Sequence, residues 1–212
     1  LKNVKLEGIY DRNQEKSNSV AANFGCRSFS SIDELLGSVD CVNIAVPTSD
    51  HHRIVMQCLR SGTPVLVEKP IARTVQEARE MIQEAAERDL ILSVGHIERF
   101  NPAYRAISSL GLTPLFIESH RLSVFNPRGT DVAVVFDLMI HDIDIICDLV
   151  KRPVVSVHAS GVSVVTDEPD IANARIEFEG GCVANLTASR ISRQKLRKVR
   201  VFQKNSYISM DF

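Results

Sequence analysis

The first half of the chain alternates short β-branched runs with segments of helical period, and the second half abandons that alternation for strands alone. Parallel strands need long crossovers, so the first pattern specifies an α/β sheet covered by helices. Residues 4–9, 41–46, 64–67 and 91–94 read as strands, and 14–24, 30–36, 50–59 and 74–88 as helices. The last helix is the clearest: Thr74 and Glu77 form a capping box, and Ala78, Met81, Ile82 and Ala85 make an apolar face. Ser61-Gly62 supplies the glycine that commonly ends a helix. Beyond Gly95 the reading is a connecting helix at 101–110, a strand at 115–124 and a long helix at 132–150. Strands follow at 154–165, 172–179, 182–189, 198–203 and 207–210, with Gly180-Gly181 as a hairpin turn. Strands without helices between them imply an antiparallel sheet. The expected organisation is therefore an α/β domain over residues 1–97 and an α+β domain over 98–212.

Composition narrows the function classes. The chain has 212 residues, 44% apolar and 24% charged, which excludes disorder, a collagen repeat and a disulfide miniprotein. Lys and Arg number 25 against 26 Asp and Glu, and the cations are scattered, so no nucleic acid partner is expected. Apolar stretches such as 132–136 stop far short of the roughly eighteen residues that cross a bilayer, so no membrane span is expected. Five cysteines, Cys26, Cys41, Cys58, Cys147 and Cys182, form no C-x-x-C and cannot all pair, which fits a reducing compartment; the expectation is cytoplasmic. The opening at Leu1 shows no signal peptide and reads as an internal start. Asn185-Leu186-Thr187 matches a glycosylation sequon, read here as a chance match.

Polar residues recur where the first-half strands end, the place at which open α/β sheets bind ligands. Asp11-Arg12 ends the first strand, Pro47-Thr48 with Asp50-His51-His52 ends the second, and Glu68-Lys69-Pro70 the third. In a Rossmann dinucleotide-binding unit an acid such as Asp11 hydrogen-bonds the adenosine ribose. The alternative is a turn or cap residue. No G-x-G-x-x-G occurs, so the cofactor role of Asp11 requires the first strand and glycine-rich turn to lie upstream of Leu1, about 25 to 30 residues away. Lys69, between a strand and a proline, is placed for acid–base work if a cation or burial lowers its proton affinity. In the long helix Asp137 and His141 are i and i+4, with Asp144 at i+7 on the same face. A carboxylate beside an imidazole is the arrangement of a general base; the bland alternative is a solvated face. One imidazole and no cysteine make Asp137, His141 and Asp144 a weak zinc set, so no metal is expected. Gly95-His96-Ile97-Glu98-Arg99-Phe100-Asn101-Pro102 reads either as a ligand contact or as a salt-bridged hinge. Arg190 and Lys195 are either surface charges or groups that face an anionic substrate.

Pro47-Thr48-x-x-His51, Glu68-Lys69-Pro70, Gly95-His96 with Arg99-Phe100-Asn101-Pro102, and Asp137-x-x-x-His141-Asp142-x-Asp144 resemble, in order and spacing, the glucose–fructose oxidoreductase and inositol dehydrogenase (Gfo/Idh/MocA) family. The stretch from Gly95 to Pro102 is most similar to members acting on UDP-N-acetylhexosamines, among them UDP-N-acetylglucosamine 3-dehydrogenases. The resemblance implies a Rossmann domain followed by a substrate and oligomerisation domain that continues beyond Phe212. It implies hydride transfer between a sugar or nucleotide-sugar carbon and NAD, with Lys69, Asp137 and His141 catalytic. Asp11, Arg12, Pro47, Thr48, His51, Glu68, Lys69 and Pro70 would line the cofactor, and His96, Arg99, Asn101 and Arg190 the substrate. NADP is the alternative cofactor, since Arg12 could accept a 2′-phosphate that Asp11 would repel. Homodimers or homotetramers through the second-domain sheet are implied as well. Two rival activities stand beside this one: an NAD-dependent glycosidase of the same family, and a non-catalytic binding or assembly protein.

Overall fold

The computed structural model describes residues 4–127 and 132–212. The chain separates into two compact units, residues 1–95 and 96–212.

In the first unit the elements are β1 (Gly8–Ile9), α1 (Gln14–Phe24), β2 (Arg27–Ser28), α2 (Ile32–Leu36), β3 (Val42–Ile44), α3 (Thr48–Arg60), β4 (Val65–Val67), α4 (Val75–Glu87) and β5 (Leu92–Val94). All strand pairs are parallel: β1 with β2, and β3 with β4 with β5. The first strand is shorter than the expected 4–9, because Val4 and Leu6 stay exposed and only Gly8 and Ile9 find a ladder partner. That partner, β2, is two residues long and leaves no periodicity to read. Gly8 must be glycine, since a Cβ there would lie 2.4 Å from the Phe29 ring and 2.5 Å from the Arg27 carbonyl oxygen.

The capping box of α4 forms as expected, with Glu77 N donating to Thr74 Oγ1 at 3.1 Å and Thr74 N donating to the Glu77 carboxylate at 3.3 Å. Its buried face is Met81 and Ala85, whereas Ile82 points to solvent. Helix α3 begins at Thr48, earlier than expected, and buries Ile54, Val55, Met56, Cys58 and Leu59 against the strands.

The second unit holds a 3₁₀ turn (Ile97–Phe100), α5 (Pro102–Ser108), β6 (Phe116–Leu122), a π-helical turn (Val135–Met139), α6 (Ile140–Val150), and β7 (Val154–Val162), β8 (Ile171–Phe178), β9 (Val183–Ser189), β10 (Leu196–Gln203) and β11 (Ser206–Asp211). They form one six-stranded sheet ordered β11-β10-β6-β9-β8-β7. It is mixed rather than purely antiparallel, because β6 pairs β9 in parallel. The chain leaves β6 through a helix and two strands before returning, a connection long enough for a parallel neighbour. Gly180 and Gly181 both take φ of 87° in the turn between β8 and β9, a conformation that glycine adopts without penalty.

Strict alternation puts Ile117 on β6, Val199 and Val201 on β10, and Ala184, Leu186 and Ala188 on β9 onto one face, where Ile145, Ile146 and Leu149 of α6 pack. Each fully buried Ile or Leu there stabilises the fold by about 1.5–3 kcal/mol. No helix of the described residues is long and apolar enough to cross a membrane.

Candidate active site

In the first unit the predicted ligand groups do fall at the carboxyl ends of β1, β3 and β4. The Asp11 carboxylate accepts from Asn13 N at 2.9 Å and lies 2.9 Å from Lys16 Nζ, and the Lys16 bond foremost holds its carboxyl below the usual carboxylate range. It is therefore an anion at neutral pH. Arg12 pairs with Asp50 in the first turn of α3, and Asp50 also takes Arg53 at 3.1 Å. The guanidinium that could have received a 2′-phosphate is thus already engaged by a carboxylate. Helix α3 starts at Pro47 with no side-chain cap, so the first-turn N–H groups after Thr48 are not occupied by a capping side chain. An ionised Asp11 together with an uncapped helix start fits a dinucleotide, which offers ribose hydroxyls to the one and oxygen acceptors to the other.

His51 departs from the expectation of a cofactor-lining side chain. It is 1% exposed, with Nδ1 2.9 Å from the Pro70 carbonyl oxygen and Nε2 3.0 Å from that of Val46. Both ring nitrogens face backbone carbonyls, and the imidazole, whose single N–H in the neutral form donates to one of them, stands between the segment after β3 and the Glu68-Lys69-Pro70 segment after β4. His52 is half-buried and pairs with Glu80 of α4 at 2.9 Å. Gly95 lets the Glu68 carboxylate approach: a Cβ there would sit 3.1 Å from its oxygen. Lys69 follows directly, half-buried, and Pro70 is buried.

In the second unit the helix expected at 132–150 is interrupted by the π turn. Ile140 N–H reaches back five residues to the Val135 carbonyl before α6 begins. Asp137 lies in the π turn and His141 in the first turn of α6, both half-buried. Single π turns inside helices concentrate at functional positions, where the extra residue re-aims side chains.

The surroundings of this junction are an ionic framework that sequence reading largely missed. Arg121, from the inward face of β6, donates Nε and Nη2 to one Asp142 oxygen at 2.9 and 2.7 Å and Nη1 to Glu98 at 3.2 Å. Arg121 and Asp142 are each 2% exposed. Asp144 does not stand beside Asp137 and His141 as a free third acid: Arg99 takes it with two bonds of 2.7 Å and reaches Asp148 at 3.1 Å. Tyr104 donates to the other Asp148 oxygen, and burial, with that bond second, pushes its phenol well above the usual range. His96 Nδ1 lies 3.8 Å from Asp144, and Asn101 caps α5 by accepting from Ala103 N at 3.0 Å. Within the Gly95–Pro102 segment, Arg99 is thus engaged in ion pairs with Asp144 and Asp148, and Asn101 in the cap of α5.

Arg190 is neither a surface charge nor an open anion receptor among the described contacts. It is 4% exposed and donates to the carbonyls of Val132 and, at 3.2 Å, Pro169, while Nε lies 3.6 Å from Asp170. Val134 N also donates to Pro169 O at 2.9 Å, so the entry to the π turn is tied to the β7–β8 connection. Arg121 could have been found from sequence: it shares the inward parity of Ile117 and Ser119, and a charge at such a position demands a partner.

Comparison with known proteins converges on one family. Residues 1–96 match the GFO_IDH_MocA model, described as an oxidoreductase family with an NAD-binding Rossmann fold, and 75–208 match the GFO/IDH/MocA C-terminal domain. A UDP-N-acetylglucosamine 3-dehydrogenase from Acidithiobacillus ferrooxidans is 42% identical over 98% of the chain, which covers 67% of that protein. Its crystal structure superposes with a TM-score of 0.94 over 97% of this chain and 69% of that one. An inositol 2-dehydrogenase from Rubrobacter xylanophilus is 30% identical over 76% of the chain and is covered over 49% of its length. The structure of GenD2 from gentamicin A biosynthesis, in complex with NAD, shares the fold at a TM-score of 0.90, 23% identity, and 98% and 65% coverage of the two chains. The chain thus spans about half to two thirds of the length of these relatives. On the family matches and the 42% identity together, the chain belongs to the Gfo/Idh/MocA family of oxidoreductases.

Proposed function

We propose that the protein carrying this chain oxidises a secondary hydroxyl of a nucleotide-linked N-acetylated hexosamine with NAD. The observation that carries this reading is the π/α junction: Asp137 and His141 stand four residues apart on an element held by Arg121 through Asp142 and by Arg190 through Val132. Similarity to the UDP-N-acetylglucosamine 3-dehydrogenase of A. ferrooxidans supports the substrate class.

NAD, when bound, supplies the hydride acceptor. Asp11 would hold the adenosine ribose, Pro47 would set the start of α3 so that Thr48 presents its N–H, and Glu68 and Pro70 would shape the opposite strand end. NAD is favoured over NADP because Asp11 is anionic and Arg12 is occupied by Asp50. His141 takes the hydroxyl proton as hydride leaves the same carbon, and Asp137 orients the ring and favours its protonated form. Lys69 hydrogen-bonds the reacting oxygen and relays the proton. His96, Arg99 and Asn101 frame the sugar side. A second copy of the chain covers the outer face of the second-unit sheet, where Val162 of β7 and Tyr207 of β11 are each 56% exposed.

The test is incubation of the full-length protein with UDP-N-acetylglucosamine and NAD, followed at the NADH absorbance and by mass analysis of the sugar. Stoichiometric NADH and a keto sugar still attached to UDP are expected. Release of free sugar without NADH would instead establish the glycosidase activity, and NAD binding without either product a non-catalytic role.

A further inference from the structure

Between residues 190 and 204 the chain carries seven Lys and Arg and no Asp or Glu. On the outer face of β10 these cations are neutralised across the sheet: Arg200 pairs with Glu118 at 2.7 Å and Lys198 with Asp211 at 3.4 Å. On the helix-covered face the pattern reverses. Arg197 has the parity of Val199 and Val201, and its register partner on β6 is Arg121. Like charges directly opposite on one face are destabilising. Arg121 is compensated by Asp142 and Glu98, but Arg197 is exposed and meets no carboxylate among the described residues, nor do Arg193 and Lys195 in the segment just before it. Ser192 N binds Ser123 O at 2.9 Å, which fixes this segment at the end of β6 that bears Arg121. Arg121 grips Asp142, the residue next to His141, so Arg197 stands on the face of the proposed base and Arg193 and Lys195 at the same end of the sheet.

From this juxtaposition we propose that Arg193, Lys195 and Arg197 form the site for the diphosphate of the nucleotide-linked substrate. The inference rests on the dehydrogenase reading for the identity of the substrate, but the anion site itself stands on charge and register within the second unit. Two guanidinium forks and one ammonium supply enough donors for both phosphates of a diphosphate, and Arg is the side chain best shaped to bind phosphate oxygens in pairs. Repulsion between Arg121 and Arg197 is relieved when the anion is bound, which favours occupied over empty site. The distal sugar then extends toward His141.

Uridine diphosphate alone is the probe, titrated calorimetrically into the full-length protein. Arg197→Gln, and the triple Arg193→Gln/Lys195→Gln/Arg197→Gln, should weaken its binding by about tenfold and more than tenfold respectively, with affinity falling steeply with salt in the wild type. Lys204→Gln, in the hairpin at the far end of β10, should bind normally. NAD affinity should be unchanged in every variant. With the nucleotide sugar, KM should rise while kcat at saturation is kept. Unchanged uridine diphosphate affinity in the triple variant overturns the proposal, and so does a loss of NAD binding instead, which would assign the cations to the cofactor. If no sugar nucleotide is oxidised but uridine diphosphate binding still depends on these cations, the anion site stands and the dehydrogenase reading falls.

Discussion

Arg121 grips a single oxygen of Asp142 with two of its nitrogens, at 2.9 and 2.7 Å, deep between β6 and α6. Removing one member of such a pair strands a charge away from water, at a cost of about 3–5 kcal/mol, while replacing both members by apolar groups is far less harmful. Arg121→Met should therefore lower stability to urea by about that amount, and Arg121→Met/Asp142→Leu should regain part of it. Equal destabilisation by the single and double variants would mean that the pair is not the source.

His51 lies within hydrogen-bond distance of two carbonyls that no other side chain reaches in the described contacts, those of Val46 and Pro70, and its neutral ring donates to one of them. His51→Ala should cost about 1–3 kcal/mol of stability from the orphaned acceptor. Because Pro70 directly follows Lys69, it should also reduce kcat with little change in the sugar KM. A variant that is destabilised but turns over normally when folded would limit His51 to structure.

Asp170 accepts three backbone N–H bonds, from Val164, Val165 and Thr166, and a hydroxyl bond from Thr166. Those amides, Thr166 foremost, hold its carboxyl well below the usual range. In the unfolded chain the group takes up a proton near pH 3.9, while in the folded state it resists until lower pH. Its contribution to stability is thus complete above about pH 4 and is lost as pH falls from there toward the folded value. Urea midpoints measured from pH 7 to pH 3 should fall less steeply for Asp170→Asn than for the wild type. Parallel curves would remove Asp170 from the acid response.

What was legible in the sequence was local or periodic. Thr74 and Glu77 announce a helix start because the capping box lies within four residues, and Gly180-Gly181 announces a turn because only glycine accepts that backbone freely. The spacing of Asp137 and His141 was also readable. The π turn that carries Asp137 was not, since nothing in the 132–150 pattern marks where one hydrogen bond will skip to i−5. The position of His51 depends on residues 46 and 70 converging through β3 and β4, and the parallel pairing of β6 with β9 on a contact 67 positions apart in the chain. The pairing of Asp144 with Arg99 in place of a catalytic face has the same origin, a partner 45 residues away.

The outer face of the second-unit sheet predicts assembly. Val162 on β7, with Phe202 and Tyr207 at the other edge, exposes apolar side chains on this face. Sedimentation of the full-length protein at micromolar concentration should give a dimer or tetramer, and Tyr207→Lys should shift it toward monomer. A wild-type monomer under those conditions would leave this face to another partner.

The proposed catalytic assignment is tested most sharply on His141, Asp137 and Lys69 themselves. If His141 is the base, His141→Ala should lower kcat by about 100- to 10,000-fold while leaving NAD affinity nearly intact, since the cofactor groups named above are all on other elements. Lys69→Met should lose a comparable factor, and Asp137→Asn less, because an amide still occupies the position but no longer favours the protonated ring. The losses should not multiply: His141→Ala/Lys69→Met should be little worse than either single variant, as expected for groups that serve one proton transfer. The pH profile discriminates further, since the low-pH limb of kcat/KM should disappear in His141→Ala if that limb reports protonation of the base. Near-native turnover by His141→Ala, or fully multiplicative losses in the double variant, would return His141 to a solvated helix face and leave Lys69 to act alone.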